Sequence, residues 1–279
     1  MNGVLLGGVY ALMAQGMALV WGVMNIVNIA HGALIVLGSY LTLWAFQYWH
    51  LDPLLALPLS MAMLFVFGYL IQKIFINRII HAEIFFTLLV TFGLEIILMN
   101  AMAWGWSVDP RRVNPGYSFV GLTLGPITLS LVRVIGFGLA MAITTALFVF
   151  LQKTQIGRAI RATAQDVEAA RLSGIPVAHV YGLTYGIGAA LAAAAGSLMA
   201  MLFSFTPYSG GIFTLKSFII CVLGGLEYAG GPLIGGLVLG LVEELSSRWL
   251  GSTYREAIGF ALLVLILLVR PSGLLGQRE

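Results

Sequence analysis

Charge is too scarce along this chain to clothe a water-soluble fold. Its 279 residues carry 14 Lys+Arg and 11 Asp+Glu, 9% of positions, where a soluble domain carries about 25%. Whole stretches carry none; Ala261 to Val269 is unbroken apolar sequence. With 60% apolar residues and a mean hydropathy of +0.99, too little polar surface remains for a soluble globular enzyme, and too much apolar surface for a disordered chain. An outer-membrane barrel is disfavoured, because its strands alternate polar and apolar residues. The fold class left is an all-α polytopic membrane protein, whose helices satisfy their own backbone polar groups in lipid. The net charge of +3 is small and dispersed, so nucleic acid is not an expected partner. The single cysteine, Cys221, lies in an apolar stretch and reads as filler. No cleavable signal peptide is expected, since the N-terminus lacks a basic region ahead of its apolar stretch.

A membrane helix needs about 20 mostly apolar residues. On that measure eight to nine transmembrane helices are expected, at residues 3–23, 31–49, 54–76, 84–106, 131–152, 179–203, 212–226, 231–247 and 256–270. The seventh is short and ends in glycine, which suggests a broken or re-entrant helix. The run from Gly224 to Pro232 holds four glycines and a proline, so irregular backbone is expected there. Basic residues set sidedness. Lys73 and Arg78, then Lys153, Arg158, Arg161 and Arg171, then Arg270 and Arg278 mark three cytoplasmic segments with even numbers of spans between them. Arg111, Arg112, Arg133, Arg248 and Arg255 fall outside, and the N-terminus is then external. Segment 107–130 is rich in Pro and Gly and reads as an external loop, and no second domain is expected within 1–279. Glycines recur at four-residue spacing, at Gly3/Gly7, Gly182/Gly186, Gly231/Gly235 and Gly236/Gly240. Each pair makes a flat strip for close helix approach, either within this chain or against a second membrane subunit.

Familiar catalytic patterns are missing. No HExxH surrounds any histidine, no GxSxG elbow occurs, and no lysine follows a glycine as a phosphate-binding loop requires. No catalytic residue, metal or cofactor is therefore expected, and ATP hydrolysis would have to come from another polypeptide. The informative segment is the loop of basic residues at 153–178. Thr163 followed by Asp166 resembles a helix N-cap pair, and Gly174 with Pro176 a helix stop. A ten-residue cytoplasmic helix over 164–173, rich in alanine, is the expected result. Such a compact, capped helix suits docking into a groove on a soluble partner better than a solvated connector.

Here the residues resemble a known family. Glu168-Ala169-Ala170, then Gly174 four residues on, is similar to the coupling motif of ABC importer permeases. The preceding Gly-Arg-Ala-Ile-Arg-Ala stretch resembles the branched-chain amino-acid branch of that superfamily. Segment 22–40, with Asn28-Ile29-Ala30-His31-Gly32 at its centre, resembles a second family motif, although Ile29 stands where the family has an aromatic residue. Lys216-Ser217-Phe218, leading to Gly224-Gly225-Leu226 and the glycine run after it, resembles a third.

The resemblance implies a permease subunit working with a second related permease, two cytoplasmic ATPase subunits and a periplasmic binding protein in a bacterial inner membrane. It implies that Glu168, Ala169, Ala170, Arg171 and Gly174 meet an ATPase, with Arg158 and Arg161 touching the ATPase or lipid phosphates. Leu, Ile and Val are the substrates it suggests first, with urea and short amides next. Polar groups inside spans are costly and usually face the interior. That makes Asn25, Asn28, His31, Glu95 and Lys216 candidates for a translocation pathway, with Glu227, Glu243 and Glu244 behind them. Structural roles compete for each: a packing hydrogen bond for His31, a cap or turn for Asn25 and Asn28, and pairing within the bundle for Glu95 and Lys216. An i,i+4 ion pair with Arg248 competes for Glu244. An ion-coupled transporter, a channel and a non-transporting scaffold are the readings from other classes.

Overall fold

The computed structural model describes residues 1–80, 82–124, 127–225, 230–270 and 273–275. A helix stands at each of the nine expected apolar segments: α1 (Asn2–Met24), α2 (His31–Tyr48), α3 (Pro53–Ile74), α4 (Ile84–Trp106), α5 (Leu131–Lys153), α8 (Val177–Leu202), α9 (Gly210–Gly224), α10 (Gly231–Trp249) and α11 (Arg255–Val269). Two short helices, α6 (Gln155–Gln165) and α7 (Val167–Leu172), fill the loop between α5 and α8. Among the described residues six segments are long and apolar enough to cross a membrane, namely α1, α3, α4, α5, α8 and α9 with its preceding turn. The other three fall short for identifiable reasons. His31, Gln47 and two tyrosines dilute α2, while α10 carries Glu243, Glu244 and Arg248, and α11 has only 15 residues.

Segment 107–130 is more than the loop expected, since two short strands stand in it beside the helical bundle. Strands β1 (Gly121–Leu124) and β2 (Ile127–Ser130) pair antiparallel, Gly121 opposite Ser130. Leucine, isoleucine and threonine here favour extended backbone, a signal hidden behind the prolines and glycines around it. Gly125 and Pro126, between the strands, lie outside the described residues. The segment is clamped to the bundle. Arg111 and Phe205 exchange two backbone hydrogen bonds of 2.9 Å, and the Val113 N–H donates to Ala200 O. The Tyr117 hydroxyl donates to Asp52 Oδ1 at 3.0 Å. Burial and this bond to a carboxylate raise its pKa well above the phenol range. Asp52 also accepts from the Leu54 N–H and so caps α3.

At the centre stands α8, buried on every side from Gly188 to Met201. Its run of alanine and glycine makes that possible, since thin side chains let neighbouring backbones approach. A Cβ on Gly188 would lie 3.0 Å from Gly16 O of α1, and one on Gly38 of α2 would lie 2.5 Å from the Ala193 Cα. Hydroxyls tie the same junction. Ser39 Oγ donates to Gly196 O at 2.8 Å, and Ser197 Oγ lies 2.7 Å from Thr42 Oγ1 and 2.9 Å from Ser60 Oγ. One α8 serine thus links α2 and α3.

Of the two readings of the glycine strips, packing within the chain is the one observed. A Cβ on Gly3 would lie 2.7 Å from Gly240 O, and one on Gly7 would lie 2.8 Å from Gly236 O. The α1 and α10 strips therefore face each other antiparallel. Gly182 and Gly186 receive the Tyr69 and Phe65 rings of α3, and Gly235 packs on the Ile220 carbonyl of α9.

Candidate functional site

Two regions carry most of the polar side chains that the sequence singles out, at opposite ends of the 26-residue α8. At about 1.5 Å per residue that helix is about 39 Å long.

The first region is the α5–α8 connection. A cap at Thr154, whose hydroxyl accepts from the Gly157 N–H at 2.9 Å, starts α6 immediately after α5. The turn is so tight that a Cβ on Gly157 would collide with the carbonyls of Phe150 and Leu151. Ile160 and Thr163 face inward, while Arg158 and Arg161 are exposed. The single ten-residue helix expected over 164–173 is instead two. Thr163 is no cap: it lies inside α6, and its hydroxyl donates to Ala159 O. The chain breaks at Asp166, in extended backbone, and the Asp166 carboxylate accepts from the N–H groups of Glu168 and Ala169 at 2.9 and 3.0 Å. Asp166 outcompetes Thr163 because an ionised carboxylate is the stronger acceptor at a helix start.

The resulting α7 has six residues. It ends where Gly174, at φ 80, allows the Ile175 N–H to donate back to Ala170 O. Glu168, Ala169, Arg171 and Gly174 are exposed. Ala170 is 3% exposed and packs inward, so its side chain lies on the bundle side of α7. Arg171 and Glu168 pair with each other at 3.0 Å. The sequence reading missed Leu172, which is 90% exposed at the tip of α7. Its one signal was an apolar residue in the last turn of an otherwise small and charged helix.

The second region lies on α9 and its neighbours. Lys216 Nζ donates to both Glu243 oxygens, at 2.8 and 3.0 Å, and to the Tyr10 hydroxyl at 3.1 Å. Tyr10 donates in turn to Glu243 Oε2 at 2.8 Å. Glu243 is fully buried and Lys216 nearly so. Pairing within the bundle is therefore what Lys216 does. The partner was legible in kind, since a buried ammonium demands a carboxylate and few lie in the spans. Glu244 pairs with Arg133 of α5 at 3.6 Å and not with Arg248, because α5 brings its guanidinium to that face of α10. Glu95 is half-buried and makes no ion pair or side-chain hydrogen bond among the described residues. Glu227, like His81 and Arg278, lies outside them.

Between α1 and α2, residues 25–30 leave the helical path. Asn25 ends α1 at φ 53, and its N–H donates to Trp21 O, so it is a cap. The exposed polypeptide groups that follow are met by hydroxyls from other helices. Thr91 Oγ1 donates to Val27 O at 3.2 Å, while Thr214 Oγ1 donates to Ile29 O and accepts from the Gly32 N–H, both at 2.9 Å. His31 Nε2 lies 2.9 Å from Met13 O, a packing hydrogen bond between helices. Asn28 is 2% exposed, with Oδ1 unpartnered among the described residues. The structure thus brings Asn28 and His31 together and leaves Glu95 apart. It places Lys216 on the helix whose Thr214 braces the break.

Residues 1–267 match the family model described as branched-chain amino acid transport system / permease component. The chain belongs to that family. Relatives of this permease include the high-affinity branched-chain amino acid transport system permease protein BraD of Pseudomonas aeruginosa. That protein is 31% identical over all of this chain and 95% of its own length. LivH of Escherichia coli strain K12, described in the same words, is 35% identical over all of this chain and 94% of its own. A probable branched-chain amino acid transport permease of Methanocaldococcus jannaschii is 25% identical over 95% of this chain and 88% of its own. No solved structure matches the permease.

In this permease Thr214→Val removes both hydrogen bonds of a half-buried bracket while keeping its shape. The unpaired Gly32 N–H and Ile29 carbonyl should cost about 1–3 kcal/mol. The expected result is a lowered melting temperature of the purified protein, restored by Thr214→Ser; an unchanged melt would show that water satisfies the break.

Proposed function

We propose that this chain is the single-domain permease subunit of an ABC importer for branched-chain amino acids in a bacterial inner membrane. In this reading α2, α10 and α11 lie in the membrane beside the six longer segments. A second related permease, two cytoplasmic ATPase subunits and a periplasmic binding protein complete the machine, with lipid around it. The observation that carries the reading is the exposed face of α7, capped by Asp166 and closed by Gly174, with Ala170 seated on the bundle behind it.

ATP-driven closure of the ATPase pair would press on α7. Glu168, Ala169, Arg171 and the exposed Leu172 meet the ATPase, and Arg158 and Arg161 flank the contact. Because Ala170 is packed inward and Gly157 ties α6 tightly to α5, the push passes to α5 and α8 as a rigid movement. The energy enters as differential binding of two states, and no step of chemistry occurs in this chain. Asn28 and His31, with the Thr91 and Thr214 brackets, form a hinge in the pathway region at which α1 and α2 can change angle.

Proteoliposomes containing this chain and its co-purifying subunits should take up leucine only with ATP and the binding protein. Uptake of urea in place of leucine would move the assignment to an amide carrier. Uptake that survives ATP depletion but collapses with an uncoupler would replace it with an ion-coupled transporter. Asp166→Ala should weaken α7 by about 1 kcal/mol, roughly fivefold in its folded population. Stimulated ATP hydrolysis should fall, with recovery in Asp166→Asn, which can still cap; equal loss in both variants would point to the charge instead.

A further inference from the structure

A cavity of about 400 Å³ opens at the end of α8 far from α7, within the size range of small-molecule sites. Its two sides differ in chemistry. Met199 and Phe203 at the end of α8, with Ile212 and Phe213 of α9, make an apolar wall. Arg255 and Glu256, the first two residues of α11, stand in the lining with them. Lys216 belongs to the lining too, but its donors are spent on Glu243 and Tyr10. Arg255 is different. Its Nε is 4.0 Å from Glu243 Oε2, beyond hydrogen-bond length, and this buried atom has no hydrogen-bond partner among the described residues. The rest of the guanidinium is partly exposed, at 21% for the side chain, and makes no hydrogen bond among the described residues, so its terminal N–H groups can receive an anionic group. Glu256 is exposed and likewise makes no ion pair among the described residues. Lys216 and Arg255 against Glu243 and Glu256 sum to zero charge. The site therefore disfavours a net anion or cation and suits a ligand that carries one of each.

We infer that this cavity is a binding vestibule for a free aliphatic α-amino acid, with Arg255 receiving the carboxylate, Glu256 the ammonium, and the wall of Met199, Phe203, Ile212 and Phe213 the branched side chain. The inference rests on the importer reading for the side it faces: with α7 cytoplasmic, the cavity opens outward, where a binding protein would release its cargo.

The test uses the purified complex carrying Ile212→Cys, whose cavity-wall thiol reacts with a maleimide; the wild-type complex, with Cys221 buried, sets the background. Millimolar leucine should slow labelling. Isopentylamine, which lacks the carboxylate, and 4-methylpentanoate, which lacks the ammonium, should not. Adding Arg255→Gln should raise the leucine concentration needed for half-protection at least about tenfold, the loss of one charge-assisted contact, with Arg255→Lys intermediate. If Arg255→Gln fails to assemble, Glu256→Gln and the analogue pattern decide alone. Labelling indifferent to leucine, equal protection by the two analogues, or protection by phosphatidylethanolamine instead would each overturn the vestibule. ATP-dependent leucine uptake by the wild-type complex is scored separately: its absence refutes the importer reading, whereas its presence with no protection of the introduced thiol refutes only the vestibule.

Discussion

Glu243→Leu is expected to destabilise the folded protein by about 3–5 kcal/mol, because it strands the Lys216 ammonium in a buried site without its counter-charge. The wild-type arrangement is fully satisfied. Both carboxylate oxygens accept from Lys216, and Tyr10 bridges the same two groups. Removing one partner costs far more than the pair contributes net, since two ions taken from water give up much of what their attraction returns. Lys216→Met combined with Glu243→Leu should therefore melt much closer to wild type than either single variant does. Thermal unfolding of the detergent-purified protein measures this directly. Equal losses in the single and double variants would mean that shape and not charge holds α9 against α10. Tyr10→Phe should cost far less, since it removes one hydroxyl and leaves both charges paired.

Gly174→Val should leave the protein folded and assembled in the membrane but abolish binding-protein-stimulated ATP hydrolysis. Space is not the obstacle, because a Cβ at Gly174 would meet nothing within 4 Å. The obstacle is the backbone. Gly174 sits at φ 80, where an L-residue pays about 1–2 kcal/mol and a β-branched one fits worst. The strain is relieved by reshaping the turn between α7 and α8, which moves α7 relative to the bundle without touching the core. Gly174→Asn separates backbone from side chain, since asparagine tolerates a positive φ. It should restore most of the stimulation. Normal stimulation in the valine variant would remove α7 from the coupling role.

Much of the fold was legible because lipid leaves few choices. Each apolar stretch became a helix close to where it was expected, and glycines four residues apart became helix contacts. The errors fall where two local signals competed. Thr163 and Asp166 both qualify as N-caps by residue type, and only the backbone break at Asp166 shows which one acts. Pro and Gly around residues 107–130 read as loop, yet part of that segment pairs as strands and another part binds the end of α8. Glu244 had a partner one turn away on its own helix, and a residue from another helix took it.

The sequence by itself determined the class of molecule and the place of its long helices, because hydropathy and backbone freedom act over a few residues. Tertiary structure alone decided who meets whom. Lys216 lies 206 positions from Tyr10 and 27 from Glu243, and Thr214 lies 182 from the Gly32 N–H that it satisfies. No local pattern encodes such pairs. They follow from α1 and α10 packing glycine strip to glycine strip, and from α9 packing against both and against the start of α2, which brings distant polar groups within reach of each other.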